Sequence, residues 1–147
     1  MCGRFVSASL PGEIADYFSA ASVAKTRTEA NYNVAPSVNV PVIVSSDDLR
    51  QLDLMRWGLI PFWAKSASIG NKMINARSET VTEKAAFRNA AKKYRCIVPA
   101  DAFYEWTAVN DPTAKKPRKQ PWCIRRNDGA PFAFACIFDS WSDTDGD

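Results

Sequence analysis

Histidine is absent from this sequence of 147 residues. That removes Ser-His-Asp and Cys-His catalysis, His-x-x-His zinc binding and an imidazole proton shuttle from anything the chain does with its own side chains. A general acid or base here must be a carboxylate, a lysine, a tyrosine, a thiol or the terminal amine. Long apolar runs are lacking too. None approaches the roughly 18 residues a membrane span needs, and no apolar stretch follows Met1-Cys2-Gly3-Arg4 to make a secretion signal. The four cysteines, Cys2, Cys96, Cys123 and Cys136, are widely spaced and form no C-x-x-C pair. Without a secretion signal, free thiols are expected rather than a disulfide framework. No internal repeat is visible, and 46% hydrophobic with 24% charged residues excludes disorder and low complexity. What remains is one soluble domain over 1–147, expected in the cytoplasm, with no metal and no other cofactor.

The net charge of +3 hides an asymmetry. Residues 54–126 hold 15 Lys/Arg against 5 Asp/Glu, whereas residues 127–147 hold 5 acidic residues and no basic one. A basic middle between acidic ends suggests one positive face. Trp57, Phe62, Trp63, Tyr94, Phe103, Tyr104, Trp106 and Trp122 are interleaved with it. Positive charge for phosphates and aromatic rings for unpaired bases are what a single-stranded nucleic acid requires. A solvated charged face over an aromatic core would read the same way.

A helix is expected over Pro11–Ala20, with Ser9 as N-cap and Ile14, Tyr17 and Phe18 on one face. Residues Lys25–Ala35 read as loop. Val38–Ser45 and Leu52–Trp57 alternate as strands around an Asp47-Asp48 turn, with Pro41 pointing to an edge or a bulge. Gly58–Lys72 reads as a long loop, and Ser78–Arg95 as a second helix capped by Ser78. Strands are expected at Cys96–Pro99, Phe103–Thr107, Trp122–Arg126 and Phe132–Phe138. The last two flank Asn127-Asp128-Gly129, a hairpin signal. Asn110–Pro117 is read as a basic loop, and Ser142–Asp147 as the tip of a hairpin whose returning strand is missing. Two helices, several strands and no βαβ rhythm give an α+β fold with a curved, mostly antiparallel sheet.

Cys2 is the first chemical candidate. Loss of Met1 would make it an N-terminal 1,2-aminothiol whose α-amine, with an ordinary pKa of about 7.7–8.0, is partly neutral at physiological pH. Such an amine condenses with an aldehyde to an imine, and the adjacent thiol closes on it as a five-membered thiazolidine, an effectively intramolecular step. Asn75 and Arg77 alternate with Ile74 and Ala76, which suits a polar anchor pair on one strand face or a plain solvent face. Glu105, between Tyr104 and Trp106, is either a partly desolvated acid–base group or a surface glutamate. Trp63 beside Lys65 suits base stacking or the core. Cys96, Cys123 and Cys136 lie in apolar runs and are expected as small core residues. Lys115–Lys119 reads as a backbone contact or a solvated loop.

These residues stand in an ordered series. Met1-Cys2-Gly3-Arg4-Phe5 is followed by Asn31-Tyr32-Asn33-Val34-Ala35-Pro36, then Met55-Arg56-Trp57-Gly58-Leu59-Ile60-Pro61. Asn75-Ala76-Arg77-Ser78-Glu79-Thr80, Arg95-Cys96-Ile97-Val98-Pro99-Ala100, Phe103-Tyr104-Glu105-Trp106 and Pro121-Trp122 complete it. The series closely resembles the SRAP family, the abasic-site processing proteins, from Met1 to about Trp141. The resemblance implies a barrel-like antiparallel fold with two or more flanking helices. It also implies binding of single-stranded DNA containing abasic sites, and a thiazolidine crosslink between Cys2 and the lesion aldehyde. Cys2 is then the nucleophile, freed by autocatalytic or aminopeptidase loss of Met1. Asn75 holds the sugar or its phosphate surroundings, and Glu105 handles protons in ring opening and imine formation. Arg4 and Arg77 contact phosphates, and Trp63 with Pro36 forms a wedge between flanking bases. A monomer is expected, in the nucleoid or, in a eukaryote, the nucleus. Members of the family continue into further strands bearing a catalytic histidine. The domain is therefore expected to be incomplete at its C-terminus, with an unpaired sheet edge near Phe132–Phe138. Two alternatives stay open: an N-terminal-nucleophile peptidase or amidohydrolase using the same thiol, and an inactive single-strand-binding fragment.

Overall fold

The computed structural model describes residues 2–21, 29–47, 49–110, 112–113 and 117–142. Along them run β1 (Arg4–Ser7), α1 (Pro11–Tyr17), β2 (Asn31–Val34), β3 (Asn39–Ser46) and β4 (Leu49–Arg56). A 3-10 turn at Ala67–Lys72 precedes α2 (Arg88–Lys93), β5 (Arg95–Ala100), β6 (Ala102–Val109), β7 (Arg118–Ile124) and β8 (Phe132–Ile137). The strands form two open four-stranded antiparallel sheets, ordered β2-β1-β6-β7 and β4-β3-β5-β8. The α+β class is as expected, with two sheets in place of a single one.

The core lies between the sheets. Phe5 and Val34 from the first meet Val40, Val42, Cys96 and Ala100 from the second, all buried. Phe5, Phe103, Phe132 and Phe134 add edge-on ring contacts, with centroids 5.2–6.0 Å apart, a favoured aromatic geometry. The other face of the second sheet is covered by α1. Ile14 packs there on Ile43 and Leu52, with Phe18, Ala20 and Ile97 around them. This explains why β3 is buried on both faces from Val40 to Ile43. Fully burying a side chain such as Leu52 is worth about 1.5–3 kcal/mol.

The β3–β4 hairpin pairs from Asn39↔Arg56 to Ser46↔Leu49, with Asp47 at φ +49°; Asp48 of the expected turn lies outside the described residues. Pro41 is neither on an edge strand nor at a bulge. It sits on an interior strand, opposite Leu54, and the ladder to β5 is made further on, at Ile43 and Val44, so its missing N–H is tolerated.

Five local expectations are corrected. Ser9 does not cap α1. Its hydroxyl and backbone N–H both go to the Asp101 carboxylate, which also accepts from Ala8 N–H at 2.6 Å. Leu10 is the N-cap, its N–H accepted by Glu13 at 2.8 Å, and α1 ends at Tyr17, whose ring is exposed. The stretch read as loop contains β2, whose sequence carries no apolar alternation because three of its four residues face solvent. The second helix is confined to Arg88–Lys93, and residues 78–87 run as successive turns closed by bonds such as Thr80 N–H to Arg77 O. Asn127-Asp128-Gly129 does turn the chain, with Gly129 at φ +72°. The strands on either side do not pair: β7 joins β6 in one sheet and β8 joins β5 in the other. Finally, Asn75–Arg77 is irregular backbone, not strand. Among the described residues β8 ends its sheet, as expected, and no helix is long and apolar enough to cross a membrane. Part of Lys115–Lys119 and all of Asp143–Asp147 lie outside the described residues.

Candidate active site

Cys2 lies just before β1, where the chain bends at Gly3. Strict alternation would place Cys2 on the face of Arg4, away from Phe5. The bend instead lets Cys2 pack, half-buried, on the core between the sheets. Its thiol donates to the Arg4 carbonyl oxygen at 3.2 Å. Burial pushes the thiol pKa above its ordinary value; a backbone hydrogen bond at Arg4 partly offsets this, and the negative Glu105 carboxylate raises it again. Both upward effects keep the sulfur protonated at neutral pH.

Glu105 reaches this position through the β1–β6 ladder. Arg4 pairs with Tyr104, so one step further along the register sets Gly3 against Glu105. Glu105 shares a sheet face with Phe103, which packs on the core; Tyr104 and Trp106 point to the opposite face.

Asn75 comes from the irregular segment between the 3-10 turn and α2. Its side-chain amide donates to the Cys2 carbonyl oxygen at 2.7 Å. The segment carrying it is fixed at several points. Leu59 N–H donates to Met73 O at 3.0 Å. Gly58, at φ +120°, lies so close to Gly70 that a Cβ on it would stand 2.5 Å from the Gly70 carbonyl oxygen. Cys2, Asn75 and Glu105 are thus brought near one another from positions up to 103 residues apart.

The other candidate residues divide. Arg4 donates to Asn33 Oδ1 at 2.9 Å. With Gly3, Asn33, Trp106 and Lys119 it lines a shallow depression of about 500 Å³. Arg77 is exposed, two residues beyond Asn75. Trp63 is half exposed rather than in the core. It lines a second depression of about 460 Å³ with Lys65, Ser66, Ser68 and Lys72. Pro36 sits in the β2–β3 turn and is not part of that lining. Cys96 is buried and Cys136 half-buried, but Cys123 is exposed, which corrects its placement in the core; β7 is an edge strand exposed throughout. Asn33 has no role assigned from sequence, whereas Trp106 is among the interleaved aromatics and Lys119 falls in the Lys115–Lys119 stretch read as a backbone contact or a solvated loop. The signal for Trp106 was the alternation of Phe103-Tyr104-Glu105-Trp106, which sends it to the face of Arg4. No group of three or more Cys, Asp or Glu among the described residues is placed to hold a metal ion.

A search of protein families matches residues 1–147 to the model described as SOS response associated peptidase. The abasic site processing protein YoaM of Bacillus subtilis is 45% identical over 147 residues, which is 99% of this chain and 63% of that protein. The abasic site processing protein YoqW of the same organism is 42% identical with the same coverage. A crystal structure of a Bacteroides thetaiotaomicron protein superposes with a TM-score of 0.82 at 29% identity, covering 99% of this chain and 64% of the other. The chain therefore spans a little under two thirds of the length of these relatives. With the whole chain matched by the family and its fold shared, it belongs to the SRAP, or SOS response associated peptidase, family.

Proposed function

We propose that this chain captures the aldehyde of abasic sites in single-stranded DNA as a thiazolidine on Cys2. The observation that carries the reading is the half-exposed Cys2 thiol, held by Asn75 through its carbonyl and lying within the electrostatic reach of Glu105. Relatives named abasic site processing proteins support it.

The steps follow from the residues. Loss of Met1 frees the α-amine of Cys2. The neutral amine attacks the aldehyde carbon of the ring-opened sugar, and the carbonyl oxygen leaves as water to give an imine. The thiol then adds across the C=N bond, its sulfur bonding to carbon and its proton passing to nitrogen, so the ring closes with no oxidant or reductant. Because the thiol stays protonated, a base must take its proton as the C–S bond forms. Glu105 is the carboxylate beside it. Asn75 fixes the Cys2 backbone so that amine and sulfur meet one carbon. Arg4 and Arg77 meet phosphates, Trp106 offers a ring to an unpaired base, and Trp63 and Pro36 contact the flanking strand. Such a function places the protein with DNA, in the nucleoid or the nucleus.

The test is incubation with single-stranded DNA whose uracil has been excised. A heat-stable adduct that Cys2→Ala abolishes is expected, with intact mass showing Met1 removed. Folded protein with a free Cys2 that yields no adduct overturns the reading. The peptidase in the family's description favours a second reading, in which the same thiol attacks an amide. Turnover of a peptide, lost in Cys2→Ala, would select it. Salt-dependent binding of undamaged strands without an adduct would select the inactive binding fragment.

A further inference from the structure

Trp57 follows β4 at the mouth of the Gly58–Lys72 loop, half-buried. Its ring meets Phe5 edge-on, with centroids 5.3 Å apart and an interplanar angle of 62°. Phe5 lies in β1, three residues after Cys2. The indole N–H donates to the carbonyl oxygen of Ile74 at 2.9 Å, and Ile74 immediately precedes Asn75. Asn75 in turn donates to Cys2. The contacts close a ring: Trp57 to Phe5, along β1 to Cys2, across to Asn75, back through Ile74 to Trp57.

We propose that Trp57 is a positioning residue that fixes Asn75 against Cys2 by holding both ends of this ring at once. The residues from 73 to 77 are irregular and lack a sheet ladder to set their register, so a bond to Ile74 matters there more than it would on a strand. An indole is suited to the task because it presents a large apolar face to Phe5 and one directional donor to a carbonyl. Phenylalanine keeps the first feature and deletes the second. The backbone of Trp57 anchors the same region: Ser37 N–H donates to Trp57 O, and Trp57 N–H to Val38 O, both at 2.9 Å. These bonds survive substitution of the side chain, so β4 and the β2–β3 turn stay in place.

The inference rests on the role proposed for Asn75, and its test separates the two. Crosslinking rates at saturating abasic single-stranded DNA are measured for the full chain, Trp57→Phe, Asn75→Ala and the double variant. Binding of undamaged strands is measured alongside. Trp57→Phe is expected to slow crosslinking by about tenfold to a hundredfold, the range that misplacement of a reacting group by about 1 Å produces, with strand binding unchanged. In the double variant the loss should equal that of Asn75→Ala alone, because the two act as one unit. A wild-type rate in Trp57→Phe, or losses that multiply in the double variant, overturns the inference while leaving crosslinking itself established. If even the unaltered chain forms no adduct, the functional reading fails. The positioning is then read from NMR of the Asn75 side-chain amide, assigned by its disappearance in Asn75→Ala. Faster solvent exchange of that amide in Trp57→Phe supports the inference, and unchanged exchange overturns it. Should Trp57→Phe not fold, 3-benzothienylalanine at this position keeps the ring volume, removes the N–H, and is judged by the same outcomes.

Discussion

The side-chain amide of Asn75 and the backbone carbonyl of Cys2 are joined by a 2.7 Å hydrogen bond across 73 residues of sequence. Because the acceptor is main chain, the bond fixes where the start of β1 lies and leaves the thiol unoccupied by Asn75. The sulfur keeps its own contact with the Arg4 carbonyl. Asn75 thus touches the Cys2 backbone while the Glu105 charge acts on the thiol, and the two can be perturbed one at a time.

Glu105→Gln tests the second control. The carboxylate's charge raises the Cys2 thiol pKa, so removing it should move the titration of that thiol to lower pH. Alkylation of Cys2 by iodoacetamide, followed by mass spectrometry as a function of pH, reads this directly. The same variant should crosslink more slowly by about 10²-fold or more, because a positioned acid–base group contributes that much. A thiol more nucleophilic yet a crosslink slower would distinguish proton transfer from simple activation of sulfur. An unmoved titration would show that Glu105 does not act on Cys2.

Gly58→Ala tests how Asn75 is delivered. The backbone at φ +120° already disfavours an L side chain, and the new Cβ would meet the Gly70 carbonyl oxygen at 2.5 Å. Backbone must move on one side or the other, at a cost of about 1–3 kcal/mol for the conformation alone. A fall of that size in unfolding free energy, read from a lower urea midpoint at unchanged m, is expected, together with slower crosslinking as residues 70–75 shift. Gly3→Ala is the contrasting substitution, since a Cβ there has nothing within 4 Å, and stability should change little.

Sequence alone reveals those parts of this molecule whose signals are local. The alternating valines from Val38 to Val44 and the Asp47 turn specify the β3–β4 hairpin because pleat and turn chemistry act over a few residues. Ser78 and the charges from Glu79 to Arg95 mimic a helix, but between 78 and 93 only Phe87 and Ala90 are buried. Without an apolar stripe to dock, the early residues settle into separate turns. Asn127-Asp128-Gly129 encodes a reversal and says nothing about which sheet each arm joins. The meeting of Cys2, Asn75 and Glu105 has no local signature at all. It depends on the β1–β6 register and on the path of residues 58–75, and only the resemblance of the ordered motifs pointed to it.

Trp106→Ala tests the depression lined by Gly3, Arg4 and Asn33. Its ring, with Arg4 and Lys119, lines the outer face of the first sheet, a cationic and aromatic surface of the kind unpaired bases use. Loss of one stacked base costs about 1–3 kcal/mol, so affinity for single-stranded DNA should fall by roughly fivefold to 150-fold. Fluorescence anisotropy would measure it, with crosslinking at saturating DNA unchanged. Lys119→Ala should weaken binding uniformly across sequences and flatten its salt dependence. Equal affinity for both variants and the unaltered chain would remove this face from the DNA path.

Alkaline stability tests the core behind the site. Cys96 and Cys136 face each other across β5 and β8, and burial raises their thiols to about 12 and about 11, from 9.0. The unfolded chain deprotonates both near 9, whereas the folded chain holds the protons longer. The unfolded state thus binds fewer protons above that point, and folding stability must fall as pH rises. The contribution is complete below about pH 9 and is lost progressively toward 11 and 12. Urea midpoints under reducing conditions at pH 8 and pH 10.5 should show this decline, and Cys96→Ala should make it shallower even though the smaller side chain lowers stability at both pH values. Lysines and tyrosines titrate in both proteins alike, so the difference in slope belongs to the buried thiol. Equal slopes would mean that Cys96 ionises inside the fold as readily as it does in the open chain.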